Sequence, residues 1–162
     1  ENLKRILLKR VFKAQKVQQV DLDVTNNWIE EIIGTLKTKG IIDDREFADR
    51  KVAIFNSQGN SKLMIRKKLQ NKGVEQTLID ESIENLEKKI VDPDLTAAIR
   101  FLERRKMGPY RHPNNRREYR DKDLRSMARA GFAYSVAKQV LEAENIKDLN
   151  FMESQIDISN NK

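Results

Sequence analysis

Apolar residues recur along most of the chain at intervals of three and four, the spacing that gathers them on one side of an α-helix. The clearest stretch is Gly40–Leu86. Asp43 and Asp44 precede an apolar pattern, with Glu46 three positions after Asp43, which is an N-terminal capping signal. The spacing predicts a helix from about Asp44 to Asn56 that turns Ala48, Val52 and Phe55 inward, with Phe47 beside them. Gly59-Asn60-Ser61 interrupts it, and Ser61 can cap a second helix with Ile65 and Leu69 on one face. Lys72-Gly73 ends that helix, because glycine accepts a left-handed C-terminal conformation at little cost. A third helix carries Ile79, Ile83, Leu86 and Ile90. The unit is helix, turn, helix, glycine, helix.

The second half of this unit returns in Lys122–Glu144. Gly131 answers Gly73 at an offset of 58 residues, and Phe132, Met127 and Leu141 answer Val74, Leu69 and Ile83. Leu3–Leu36 reads as a degenerate copy: a basic helix over Leu3–Val20 with Leu3, Leu7, Val11 and Ala14 on one face, a polar turn, then a helix capped by Thr25 or an adjacent Asn and closed by Gly40. Asp92-Pro93 opens the last unit, with a cap and a proline at the first helical position. Gly108-Pro109 ends its first helix, and Tyr110–Arg120 reads as a polar basic loop. Repeated units of this sort stack and share a core. The expected fold is all-α: tandem three-helix repeats, about eight helices, in an elongated, curved array. Residues 1–40 form a first, incomplete repeat, 41–91 a second and 92–145 a third with a basic loop at 107–120. Residues 146–162 form a C-terminal tail that docks by one turn and ends in disordered polar residues.

Charge changes the picture through its location. Of 32 basic and 25 acidic residues, eleven and four lie between Arg100 and Arg129, which leaves 21 of each elsewhere. The whole net charge of +7 therefore sits in one window. Such a patch can neutralise phosphates and release counterions, or meet an acidic protein groove. Arg104, Arg105, Arg111, Arg116, Arg117, Arg120, Arg125 and Arg129 are the contact candidates on charge alone, and Arg66, Lys67 and Lys68 form a second basic cluster. Tyr110 and Tyr119 within the loop can stack on bases or belong to a plain linker. The basic first helix is read as a solvated face.

The chemistry of catalysis is missing from the pattern. The chain has no cysteine and one histidine, His112, which is read as a loop residue. Asp43-Asp44 is read as a cap, not a metal site. With no phosphate-cradling glycine loop and no nucleophile–base pair, no enzyme and no cofactor are expected. No run reaches the roughly 20 apolar residues of a membrane span. A cytoplasmic monomer is expected. Trp28 is read as a core or inter-repeat plug, and Phe132 as inserted between helices. The third helix of the central unit carries Glu75, Asp80, Glu81, Glu84 and Glu87, a face that counts against reading the major groove of DNA.

The order GIIDDREFADRK, a G-x-S segment, LQNKGV and then MARAGFAYSVAKQVL resembles the RecX family of bacterial recombination regulators, as does DPDLTAAIRFLERRKMGPYR before the last unit. The resemblance spans roughly Leu3–Glu144. It implies binding along the filament that the RecA recombinase forms on DNA, with restraint of ATPase, strand exchange and repressor self-cleavage in recombination and the SOS response to DNA damage. Contact with single- and double-stranded DNA would be weak and salt-dependent. The alternative reading is a stand-alone DNA-binding transcription regulator with helix-turn-helix-like units.

Overall fold

In the computed structural model, residues 2–15 and 21–158 are described, with side chains for 3–15 and 21–155. They form nine α-helices and no strand: α1 (Asn2–Gln15), α2 (Leu22–Thr38), α3 (Asp44–Ser57), α4 (Lys62–Gln70), α5 (Gln76–Lys89), α6 (Pro93–Arg105), α7 (Pro113–Arg129), α8 (Tyr134–Leu141) and α9 (Ile146–Ile158), with a 3-10 turn at Gly108–Tyr110. The fold is all-α, as the periodicity predicts. The end of the expected first helix, residues 16–20, and the terminal polar residues 159–162 lie outside the described residues.

The central helices follow the local signals. Asp43 Oδ1 accepts the Arg45 and Glu46 N–H groups, at 2.8 and 3.0 Å, and Ser61 Oγ accepts the Met64 N–H at 3.2 Å. These side chains satisfy first-turn donors that have no partner within the helix. Glu46 pairs with Arg50 one turn on, not with the cap backbone. α2 begins at least four residues earlier than expected, because Asp21, not Thr25 or an adjacent Asn, is the cap; its Oδ1 accepts from the Asp23 and Val24 N–H groups.

The 58-residue offset is visible in the backbone. Val74 N–H bonds the Leu69 carbonyl at 3.1 Å, and Phe132 N–H bonds the Met127 carbonyl at 3.2 Å. Gly73 and Gly131 sit between them at φ of 75° and 82°. Leu69 and Met127 are both fully buried. One apolar cluster holds Val52, Ile65, Leu69, Ile79, Ile83 and Leu86; a second holds Leu95, Ile99, Leu102, Met127, Phe132, Val140 and Leu149, with Phe101 edge-on to Phe132 at 5.4 Å. Ile90 touches both clusters. Polar bonds cross the same junction: Asn56 Nδ2 to the Pro93 carbonyl at 2.8 Å, Ser61 Oγ to the Ala130 carbonyl at 2.6 Å, and Lys62 N–H to Asp94 Oδ1 at 2.8 Å.

Three expectations are corrected. The basic loop over 107–120 is short: Pro113 starts α7, so residues 113–120 are two helical turns ahead of the part that matches α4. Proline at the first position and the helix-forming Arg and Glu residues stabilise this extension, while its nearly all-polar surface hides the period. Trp28 is 61% exposed and plugs nothing; its neighbour Ile29, 5% exposed, is the buried residue of α2. Residues 146–158 form a helix of three turns, not a single docking turn, anchored by fully buried Leu149 and by Arg100 against Glu153 at 3.4 Å.

Candidate functional site

The arginine window folds around one buried carboxylate. Asp123 is 2% exposed. Its two oxygens accept a bidentate pair from Arg111, Nε at 2.8 Å and Nη2 at 2.7 Å, and Oδ2 also accepts the Gly108 N–H at 3.1 Å. The bond to Asp123 raises the Arg111 pKa above its ordinary value, so this guanidinium stays charged at any working pH. It also lies over the Tyr119 ring at 4.5 Å, with the Lys122 ammonium 5.3 Å from the same ring centroid. Arg116 spans three carbonyls: Pro109 at 2.6 Å, Glu144 at 2.6 Å and Arg111 at 3.2 Å. Arg111 thus ties the segment before α7 to the middle of that helix, and Arg116 ties the first turn of α7 to the 3-10 turn and to the segment before α9.

The other candidates are distributed differently. Arg104 donates to the Gln58 carbonyl at 2.6 Å, and Arg120 reaches Glu142 at 2.5 Å. Arg105 lies over the Phe101 ring at 4.8 Å. Arg117, Arg125 and Arg129 are exposed and carry no ion pair among the described residues. In the second cluster, Arg66 pairs with Asp80, Lys68 sits over Phe55 at 4.9 Å and bonds Asn60 at 2.6 Å, and Lys67 is exposed. Burial, with Arg104 close by, lowers the Lys68 pKa.

The structure brings Arg105, Arg111, Lys122, Ser126 and Arg129 to one cleft of about 380 Å³, with Met107 and Asp123 completing its walls. Arg117 and Arg120 border a neighbouring hollow, and Arg66, Lys67 and Lys68 lie on α4, outside the lining of either. Lys122 was missed by counting arginines; its place one α7 turn before Ser126 and two before Arg129 is the signal. Tyr119 is not open to a base, because cations cover its ring. Tyr110 is half-buried against the second core cluster. His112 stands at the cap of α7 and makes no capping bond. The α5 acids are tied up: Asp80 with Arg66, Glu81 with Arg45 at 2.6 Å, Glu84 with Lys88 at 2.9 Å and Glu87 with Lys62 at 2.6 Å. They hold the central unit together as well as shaping its field.

Among the described residues no group of His, Asp or Glu is placed to hold a metal ion, and no helix is long and apolar enough to cross a membrane. Fold and composition define an all-α protein with an excess of positive charge. The chain belongs to the RecX family of regulatory proteins. It is 30% identical over 142 residues to Regulatory protein RecX of Myxococcus xanthus, covering 87% of this chain and 75% of that relative. Regulatory proteins RecX of Agrobacterium fabrum and Lactococcus lactis are 30% and 25% identical over 110 and 139 residues, and the chain spans 56% and 49% of their lengths. No family model and no solved structure matches the chain.

Proposed function

We infer that this protein is a non-enzymatic regulator of the RecA recombinase. In this reading it binds the RecA filament on DNA and mainly inhibits ATP hydrolysis, strand exchange and the stimulated self-cleavage of repressors, in recombination and SOS repair in the cytoplasm. The observation that carries the reading is the relationship to the regulatory protein of Myxococcus xanthus along most of both chains. Residues 41–91 and 92–145 serve as two successive repeats, 1–40 as a reduced one and 146–162 as an appended segment. A curved array of such units follows a helical groove, and cations along it reach protein carboxylates or DNA phosphates. Arg104, Arg105, Arg117, Arg125, Arg129 and Lys67 project for contact, while Arg111 and Arg116 support the surface that carries them.

The test is ATP hydrolysis by RecA on single-stranded DNA as the protein is titrated in. The expected result is a fall in rate at less than one protein per recombinase. An unchanged rate, together with tight binding to one particular duplex without recombinase, would overturn the reading in favour of a stand-alone DNA-binding regulator.

A further inference from the structure

Exposed cations occur on several helices, but α6 and α7 carry them without exposed large hydrophobic neighbours on the same helix. Ile6, Phe12, Val24, Trp28 and Ile32 on α1 and α2 are exposed, whereas α6 and α7 expose no large hydrophobic residue among those described. Protein interfaces draw their energy from apolar and aromatic anchors at their centre. The α6–α7 surface offers none. It offers Arg105 in the last turn of α6, and Lys122, Arg125 and Arg129 at i, i+3 and i+7 along one face of α7.

The carboxylate in the lining of this cleft, Asp123, is buried and already occupied by Arg111 and the Gly108 N–H. Asp123 therefore neutralises Arg111 and leaves Arg105, Lys122 and Arg129 without an ion pair among the described residues. Arg105 is steadied by the Phe101 ring and Lys122 by Tyr119, which leaves their heads directed by aromatic faces, not by acids. Lys122 and Arg129 are about 10 Å apart along the helix axis, the axial rise of about three nucleotides of one strand. α6 and α7 both end at this cleft, so the backbone presents its negative ends there and anion binding falls to the side chains.

We propose that this cleft is a seat for successive phosphodiester groups of a nucleic-acid strand, held by Arg105, Lys122 and Arg129 of its lining and by the exposed Arg125 beside it on α7, without contact to the bases. The seat deepens the filament reading, on which its biological setting rests, by making DNA a direct ligand of this face. No aromatic ring at the cleft is free to stack, so binding is indifferent to base identity and strongly dependent on salt.

The experiment is fluorescence anisotropy of a labelled oligothymidylate with no recombinase present. The variant Arg105→Gln/Lys122→Gln/Arg125→Gln/Arg129→Gln is compared with Lys9→Gln/Lys13→Gln/Arg50→Gln/Lys88→Gln, which removes the same charge elsewhere. The cleft variant is expected to lose affinity tenfold or more, with its log–log salt slope reduced by about 2 to 3, at roughly 0.7 per single-strand phosphate. The control is expected to change less than threefold. Equal losses in the two variants would overturn the seat, because net charge alone would then explain binding. Unchanged DNA affinity with lost inhibition of recombinase ATPase would also overturn it, leaving the filament reading intact. Lost DNA affinity with inhibition retained supports the seat, as does DNA binding by a wild-type protein that fails to inhibit. Should the four-fold variant melt early, Arg125→Gln/Arg129→Gln alters only two side chains with no ion pair among the described residues, and a reduction in salt slope of about 1.4 is required of it.

Discussion

Gly59→Ala tests the junction between the two core clusters. Gly59 has φ of +74°, and a Cβ there would lie 2.8 Å from the Phe101 amide nitrogen and 3.1 Å from the Ala97 carbonyl oxygen. Both are backbone atoms of α6, which cannot rotate aside. The left-handed conformation costs an L-residue about 1 to 2 kcal/mol. Forcing the end of α3 away from α6 adds an overpacking cost of about 1 to 3 kcal/mol. Reduced freedom of the unfolded chain returns about 0.4 to 1 kcal/mol. The sum is a destabilisation of about 3 kcal/mol. Gly40→Ala is the reference: φ is +67°, but nothing lies within 4 Å of the added carbon, so only the conformational cost applies, about 1 kcal/mol net. Urea unfolding followed by circular dichroism gives both values. The melting temperature should fall by about 6 to 12 °C for Gly59→Ala and by about 2 to 4 °C for Gly40→Ala. Equal effects, within about 0.5 kcal/mol, would show that α3 and α6 do not meet backbone to backbone, and the junction described above would be wrong.

Other substitutions probe separate features. Lys106 is the sole non-glycine with positive φ among the described residues, at 54°, so Lys106→Gly should stabilise by about 1 kcal/mol, read as a higher urea midpoint. Burial raises the Asp94 pKa, ahead of the opposing Lys62 N–H bond. Protonated Asp94 is therefore favoured in the folded state, and its contribution to stability is present below the unfolded pKa and lost as pH rises through the folded one. Asp94→Asn, which keeps the acceptor for Lys62, should be more stable than the wild type at pH 7, with the gap closing toward pH 3; thermal melts across that range decide it. Arg116→Gln removes two or three bonds to carbonyls and should cost about 2 kcal/mol, with new proteolytic cleavage near residues 113–120 as its sign.

The legible parts of the chain were those whose signals are local. Caps such as Asp43 and Ser61, glycines such as Gly73 and Gly131, and the steps from Ile79 to Leu86 each act within one or two turns, and the helices formed where those signals stand. Phe132 was placed correctly for the same reason. Residues 113–120 were misread because a polar helix held by proline and by distant carbonyls leaves no apolar period. Trp28 was misread because size argues for burial, while the buried side of α2 is set by tertiary packing, and that side takes Ile29. In the basic window, counting charge could not separate supports from projecting groups. Arg111 and Arg116 owe their roles to Asp123, Pro109 and Glu144, which no spacing rule connects to them. Asp123 did leave one trace: it is an acid four residues before Met127, on the core side of a helix otherwise rich in cations.

Because Asp123 is fully engaged before any ligand arrives, the frame beneath the cleft is ordered in advance. Contact with a polyanion then has only the outer side chains left to immobilise, at about 0.5 to 1.5 kcal/mol for each. No helix has to form and no apolar surface is buried. Binding at this face should therefore proceed with a heat-capacity change near zero, its favourable entropy coming from displaced counterions. Recognition through the exposed apolar side chains of α1 and α2 would differ in its calorimetry, with a clearly negative heat-capacity change.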